Sequence, residues 1–135
     1  MSNSYKNADG QLHRTDGPAY EHGDGSKEWY INGQRHRIDG PAVEYKDGTK
    51  EWYINGELYR TDGPAIEYEN GRKYWYINGQ LHRIDGPAAE YEDGSKAWYI
   101  DGKYVTKEII NWLNENNITY PFDEDELIQF KLRFL

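Results

Sequence analysis

Apolar and polar positions alternate along this chain in short runs, and glycine-containing pairs interrupt the runs at fixed intervals. Residues 41–62, PAVEYKDGTKEWYINGELYRTD, show the pattern. Asp47-Gly48 and Asn55-Gly56 each stand between β-prone runs. Such pairs supply the positive φ that two-residue hairpin turns demand. The spacing predicts three strands, Ala42–Lys46, Thr49–Ile54 and Glu57–Arg60. Asp62-Gly63-Pro64 then turns the chain into the next unit, where the proline removes a donor and biases Gly63 towards extended geometry.

The pattern recurs every 23 residues. Asp-Gly-Pro begins at Asp16, Asp39, Asp62 and Asp85, and the same step separates Trp29, Trp52, Trp75 and Trp98. Tyr30, Tyr53, Tyr76 and Tyr99 keep it, as do Arg14, Arg37, Arg60 and Arg83. Several ladders in one register mark a repeat array. Two-residue turns would place Val43 opposite Trp52 and Tyr45 opposite Lys50, with Tyr59 beside them, as the packed face. Equivalent pairs are Tyr20/Trp29, Ile66/Trp75 and Ala89/Trp98. On the other face Ala42 would meet Tyr53 beside Leu58, and Glu44 would oppose Glu51, as Glu21 would oppose Glu28. Opposed like charges cost about 0.2–1 kcal/mol. Arg37 and Arg60 on the next strand would return about 0.2–1 kcal/mol. Two readings stand: a solubilising row, or an acidic ladder for a basic partner. Tyr74 and Ala97 replace the second glutamate in the last two units.

An array needs caps. Residues 1–9 are expected to cap the start, residues 10–102 to form the four repeats, and residues 103–135 to close the end, all as one domain. Thr106 would N-cap a helix over KEIINWLNEN, with Ile109, Ile110, Trp112 and Leu113 as its apolar positions and Asn116-Asn117 as its stop. Asp123 would cap a second helix, with Glu124, Asp125 and Glu126 in its first turn and Leu127, Phe130 and Phe134 as one stripe. Both read as a lid over the last hairpin, with a partner-binding helix pair as the alternative. The expected fold is mostly β: an elongated single-layer stack of hairpin repeats capped by two short C-terminal helices.

Composition narrows the function. The net charge is -8, spread over the array and the tail. It argues against binding nucleic-acid phosphates or anionic lipid directly. There is no cysteine, so disulfides and thiolate metal sites drop out. No apolar stretch follows Met1 and no run could span a bilayer, so a cytoplasmic protein without membrane attachment is expected. Thirteen tyrosines and five tryptophans point to layers held by rings rather than a thick aliphatic core.

The unit GPAxEYxDGSKxWYINGQLHRxD resembles a variant of the MORN repeat over roughly residues 9–102. The likeness rests on the Gly-Pro opening, the Tyr before Asp-Gly, the Trp-Tyr strand and the Asn-Gly turn. The Asp-Gly-Pro corner and the His-Arg pair depart from the standard, glycine-richer unit. Copies carrying His-Arg-x-Asp-Gly-Pro-Ala are similar to units in proteins of large bacteriophages and giant viruses, as is the tail WLNENNITYPFDEDELIQFKLRF. The resemblance implies an elongated hairpin stack acting as a scaffold for protein or lipid contact, not catalysis.

Candidate chemistry is thin. His13, His36 and His82 share a ladder position with Tyr59, and His22 shares one with Tyr45, Tyr68 and Tyr91. Positions that accept Tyr are packing positions, and a regular spacing keeps such rings from one metal. Glu21/Glu28 and Glu44/Glu51 could form the carboxylate pair of a glycoside-acting enzyme. They recur as ladder members, so this reading comes last. No GxSxG elbow and no phosphate loop is present. Carbohydrate binding by stacked Trp and Tyr is a second reading. The leading one is a non-catalytic protein that engages a basic protein surface, for example a phage-encoded inhibitor of a host defence or nucleic-acid-handling protein. It needs no cofactor. The candidate contact residues are Glu21, Glu28, Tyr30, Glu44, Glu51, Tyr53, Glu67, Tyr76, Glu90 and Tyr99. Exposed edge strands or the Tyr30/Tyr53/Tyr76/Tyr99 strip could also support a homodimer.

Overall fold

The structure, a computed structural model, describes residues 1–135. It is mostly β, with two C-terminal helices and no closed barrel. Every strand is two residues long. A 9-stranded antiparallel sheet runs in chain order through residues 3–4, 20–21, 27–28, 43–44, 50–51, 66–67, 73–74, 89–90 and 96–97. Four separate hairpins, 30–35, 53–58, 76–81 and 99–104, form a second row. The first residues of the chain supply the first strand of the large sheet, pairing Ser4 with Tyr20.

The two turns of each unit behave differently. Asn55 and Gly56 both have positive φ, 49° and 82°, which makes a two-residue hairpin turn. It pairs Tyr53 with Leu58 and Ile54 with Glu57, the register the sequence predicts. At Asp47-Gly48 only the glycine has positive φ, 97°. The Asp47 carboxylate instead accepts from the Thr49 N–H at 2.8 Å. The loop therefore holds three residues, closed by Tyr45 N–H to the Thr49 carbonyl at 2.9 Å and Gly48 N–H to the Tyr45 carbonyl at 3.0 Å.

That extra residue corrects the predicted register by one step. Val43 pairs with Glu51, not Trp52, and Glu44 pairs with Lys50, not Glu51. Likewise Glu21 pairs with Lys27, not Glu28. A one-residue slip moves side chains to the other face, so neither the opposed glutamates nor the Val43/Trp52 pair is formed across the sheet.

The expected strand Thr49–Ile54 also divides at Trp52. Residues 50–51 belong to the large sheet and residues 53–54 to a hairpin. Trp52 N–H donates to the Ala65 carbonyl at 2.8 Å, and its own carbonyl accepts from Tyr59 N–H at 3.1 Å. Trp29 and Trp75 bond in the same way to Ala42 and Ala88. Ala19, Ala42, Ala65 and Ala88 are fully buried at this junction. Successive hairpins are tied by bonds such as Arg37 N–H to the Tyr53 carbonyl, 3.2 Å, and Gly56 N–H to the Arg35 carbonyl, 2.9 Å.

Helix α1 spans Thr106–Asn116 and α2 spans Glu124–Phe134. Thr106 does not N-cap α1; that place falls to Val105, with no side-chain bond. Thr106 is buried, and its Oγ1 accepts from Trp98 N–H at 2.9 Å, fastening α1 to the last repeat. Asn117 ends α1 in the left-handed region, and Asp123 with Glu126 forms a reciprocal capping box on α2. Ile109, Trp112 and Phe130 are buried against Trp98, with Leu113 and Phe134 packed beside them. Ile110, expected to pack, is exposed. No helix is long and apolar enough to cross a membrane.

Candidate functional site

Residues directly opposite across the large sheet form two continuous rows. One row reads Glu21, Lys27, Glu44, Lys50, Glu67, Lys73, Glu90, Lys96. The other reads Tyr20, Glu28, Val43, Glu51, Ile66, Tyr74, Ala89, Ala97. Adjacent residues of a strand point to opposite faces, so the rows lie on opposite sides. The candidate contact residues therefore divide. Glu44, Glu67 and Glu90 each sit between two lysines, and Glu21 sits between Asn3 and Lys27. Glu28 and Glu51 lie on the other face, joined by Tyr30 and Tyr53, whose hydroxyls donate to them at 3.0 Å and 2.9 Å. Tyr76 and Tyr99 hold the same ladder position.

The tyrosine face changes character along its length. In the first two units it carries a hydrogen-bonded network centred on Arg35. That guanidinium donates to Glu28 at 2.9 Å, Tyr53 at 3.2 Å and Tyr30 at 3.3 Å. His22 Nε2 and Glu28 Oε2 are 2.6 Å apart. Burial pushes the Glu28 carboxyl up, but the bonds from His22, Tyr30 and Arg35 together outweigh it and hold it below the usual range. Burial, then the bond to Glu51, pushes the Tyr53 phenol up to about 12. In the last two units the row has no glutamate, and the Arg72 guanidinium lies 4.5 Å from the centroid of the Tyr68 ring. Tyr74 stands where Glu28 and Glu51 stand, and meets Tyr68 and Tyr91 edge-on at 5.7 Å and 6.0 Å. Tyr99 and Tyr104 pair at 5.4 Å. None of these rings belongs to the helix cluster, which forms on the tryptophan side.

On that tryptophan side, the arginine ladder clamps the corners. Arg60 donates to Asp62 at 2.9 Å, to the Pro64 carbonyl at 3.0 Å and to Glu67 at 3.2 Å, and lies 3.8 Å from the centroid of Trp52. Arg60 thus serves the corner of its own unit, not Glu51 as the sequence suggests. Arg37 and Arg83 cover Trp29 and Trp75 at 3.9 Å and 4.0 Å. The histidine ladder is also spoken for. Nδ1 of His13, His36 and His82 accepts from the N–H of Asn32, Asn55 and Asp101 in the next hairpin, at 3.0, 3.0 and 2.9 Å. Sequence reasoning missed this role; the 19-residue offset from each histidine to the following turn residue was its signal.

No three His, Asp or Glu side chains gather as a metal-binding group. The covered tryptophans cannot offer both faces to a sugar. No family model matches the chain, and no curated protein matches it.

Proposed function

We propose that this is a non-catalytic, MORN-like scaffold that binds a protein partner on its tyrosine face. The observation that carries the reading is the gathering of Tyr30, Tyr45, Tyr53, Tyr68, Tyr76, Tyr91 and Tyr99 on one side of the repeat array, outside the helix-packed core. Tyrosine supplies large contact area at small entropic cost, and binding hot spots are rich in it. The chain's charge of -8 favours a partner with a basic surface. The phage-like units extend this to an inhibitor of a host nucleic-acid-handling protein, whose basic groove an acidic sheet would approach quickly.

The test compares tagged wild type with a Tyr53→Ala/Tyr76→Ala pair and with Thr61→Ala on the opposite side. A purified partner that binds wild type and Thr61→Ala should bind the tyrosine variant about tenfold more weakly or worse, and more weakly in high salt. Equal binding by all three proteins refutes the reading.

A further inference from the structure

Three grooves of one kind run along the tryptophan side. Their floors are Trp29 with Ile31, Trp52 with Ile54 and Trp75 with Ile77, and successive Arg-x-Asp-Gly corners form their walls. Their volumes are similar, about 660, 560 and 730 Å³. The fourth place in the series, at Trp98 and Ile100, is filled by the chain itself. Tyr120 meets Trp98 edge-on at 6.0 Å. Its hydroxyl lies 2.8 Å from where a Cβ on Gly86 would stand. Gly86 is buried, while the equivalent Gly17, Gly40 and Gly63 are not. Tyr120 and Pro121 sit in the non-helical stretch between α1 and α2. The molecule thus shows what such a groove accepts: a ring from an irregular, proline-containing segment.

Spacing, charge and hydrogen bonding narrow the occupant of the open three. Each unit adds two strands, so the grooves recur about every 9.5 Å. A polyproline II chain presents the same side every third residue, about every 9.3 Å, and keeps its carbonyls free. A β-strand repeats at about 6.7 Å and would fall out of step. The indole N–H of Trp98 is sealed in without an acceptor. Those of Trp29, Trp52 and Trp75 are not sealed and have no acceptor within the chain. The rims present acid outward: Asp16, Asp39 and Asp62 are 83, 87 and 84% exposed, against 24, 24 and 19% for Arg14, Arg37 and Arg60. We propose that the three grooves bind an extended, proline-rich, basic segment of a partner protein with a ring side chain at every third residue. This surface is separate from the tyrosine face.

A synthetic peptide of repeating Lys-Pro-Tyr, long enough to cross three grooves, tests it against the full ¹⁵N-labelled chain. The indole signals of Trp29, Trp52 and Trp75 should shift, while those of Trp98 and Trp112 stay. A peptide of equal composition with its tyrosines clustered at one end should bind about tenfold more weakly. Thr61→Lys, on the exposed wall shared by two grooves, should also weaken binding about tenfold. Tyr76→Ala should leave it unchanged. Equal binding of both peptides overturns the proposal, since that is the behaviour of a nonspecific polycation. So does the absence of indole shifts at millimolar peptide, or loss of binding in Tyr76→Ala rather than Thr61→Lys. Loss in Tyr76→Ala would instead place the basic peptide on the tyrosine face, whereas the other outcomes leave a partner held there untouched.

Discussion

Trp98 and the three tryptophans before it hold the same place in the repeat but are covered by opposite chemistries. Trp29, Trp52 and Trp75 lie under guanidinium groups at 3.9, 3.8 and 4.0 Å. Trp98 has Thr106 in the arginine's place and lies under Ile109, Trp112 and Phe130. A charged cover tolerates water on its outer side, so another unit can follow and the groove beside it stays open. An apolar cover has to be buried in turn, which ends the array and closes the groove. The cap is therefore the part of this chain most like an ordinary hydrophobic core, and the repeats are held by distributed polar clamps.

The largest expected effect tests that contrast at the cap. Phe130 is fully buried and packs on Trp112 and Phe122. Phe130→Ala should cost about 3–5 kcal/mol in chemical denaturation. It should also shift the Trp98 emission towards that of a solvated indole. A cost no greater than that of truncating half-buried Tyr76 would show that the cap is not a conventional core.

The next effect concerns the clamps. Arg60→Met keeps a stem over Trp52 but removes the charge, the bond to Asp62 and the bond to the Pro64 carbonyl. The expected loss is about 1–3 kcal/mol. Its pH dependence has a definite sign. The bond to Arg60 holds the Asp62 carboxyl below its usual range. A carboxyl lowered in the folded state stabilises fully above its unfolded pKa and loses that contribution as pH falls below about 4. Acid melts should therefore show a shallower decline for Arg60→Met than for wild type in that window. Parallel curves would show that the ion pair with Asp62 contributes nothing and that the guanidinium acts through Trp52 and the Pro64 carbonyl.

The same clamps mark where the sequence stops being legible. The 23-residue period, the two-residue turns at Asn32, Asn55 and Asn78 with their register and the Asp123 cap follow from local backbone chemistry, and local chemistry is written in neighbouring residues. The Asp-Gly loop was misjudged because Asp47 can either adopt positive φ or bond the N–H two residues on, and the pair alone does not say which. Asn70-Gly71 closes in the same way onto the N–H of Arg72, so the hydroxyl residue found there in the other units, Ser26, Thr49 or Ser95, is not what adds the loop's third residue. From that one residue comes the exchange of opposed glutamates for a Glu-Lys row. The division of each unit at its tryptophan depends on contacts between units, which no single unit reveals. The Arg35 network was illegible for the same reason, because it draws on residues from two units.

The smallest expected effect lies at a break in the histidine ladder. His36 Nδ1 accepts the Asn55 N–H and His82 Nδ1 accepts the Asp101 N–H, whereas Tyr59 leaves the Asn78 N–H without that acceptor. All three turn residues have nearly the same positive φ, 49 to 50°, so the geometry that Tyr59 fails to meet is already in place. Tyr59→His should restore the bond at a net gain of about 0.5–1 kcal/mol, reduced by whatever packing the phenol supplied. Amide exchange at Asn78 is the direct readout, because it should slow even if global stability moves little. Unchanged exchange there would mean that the ladder is a by-product of stacking and does not hold successive hairpins together. His36→Tyr should then be equally silent at Asn55.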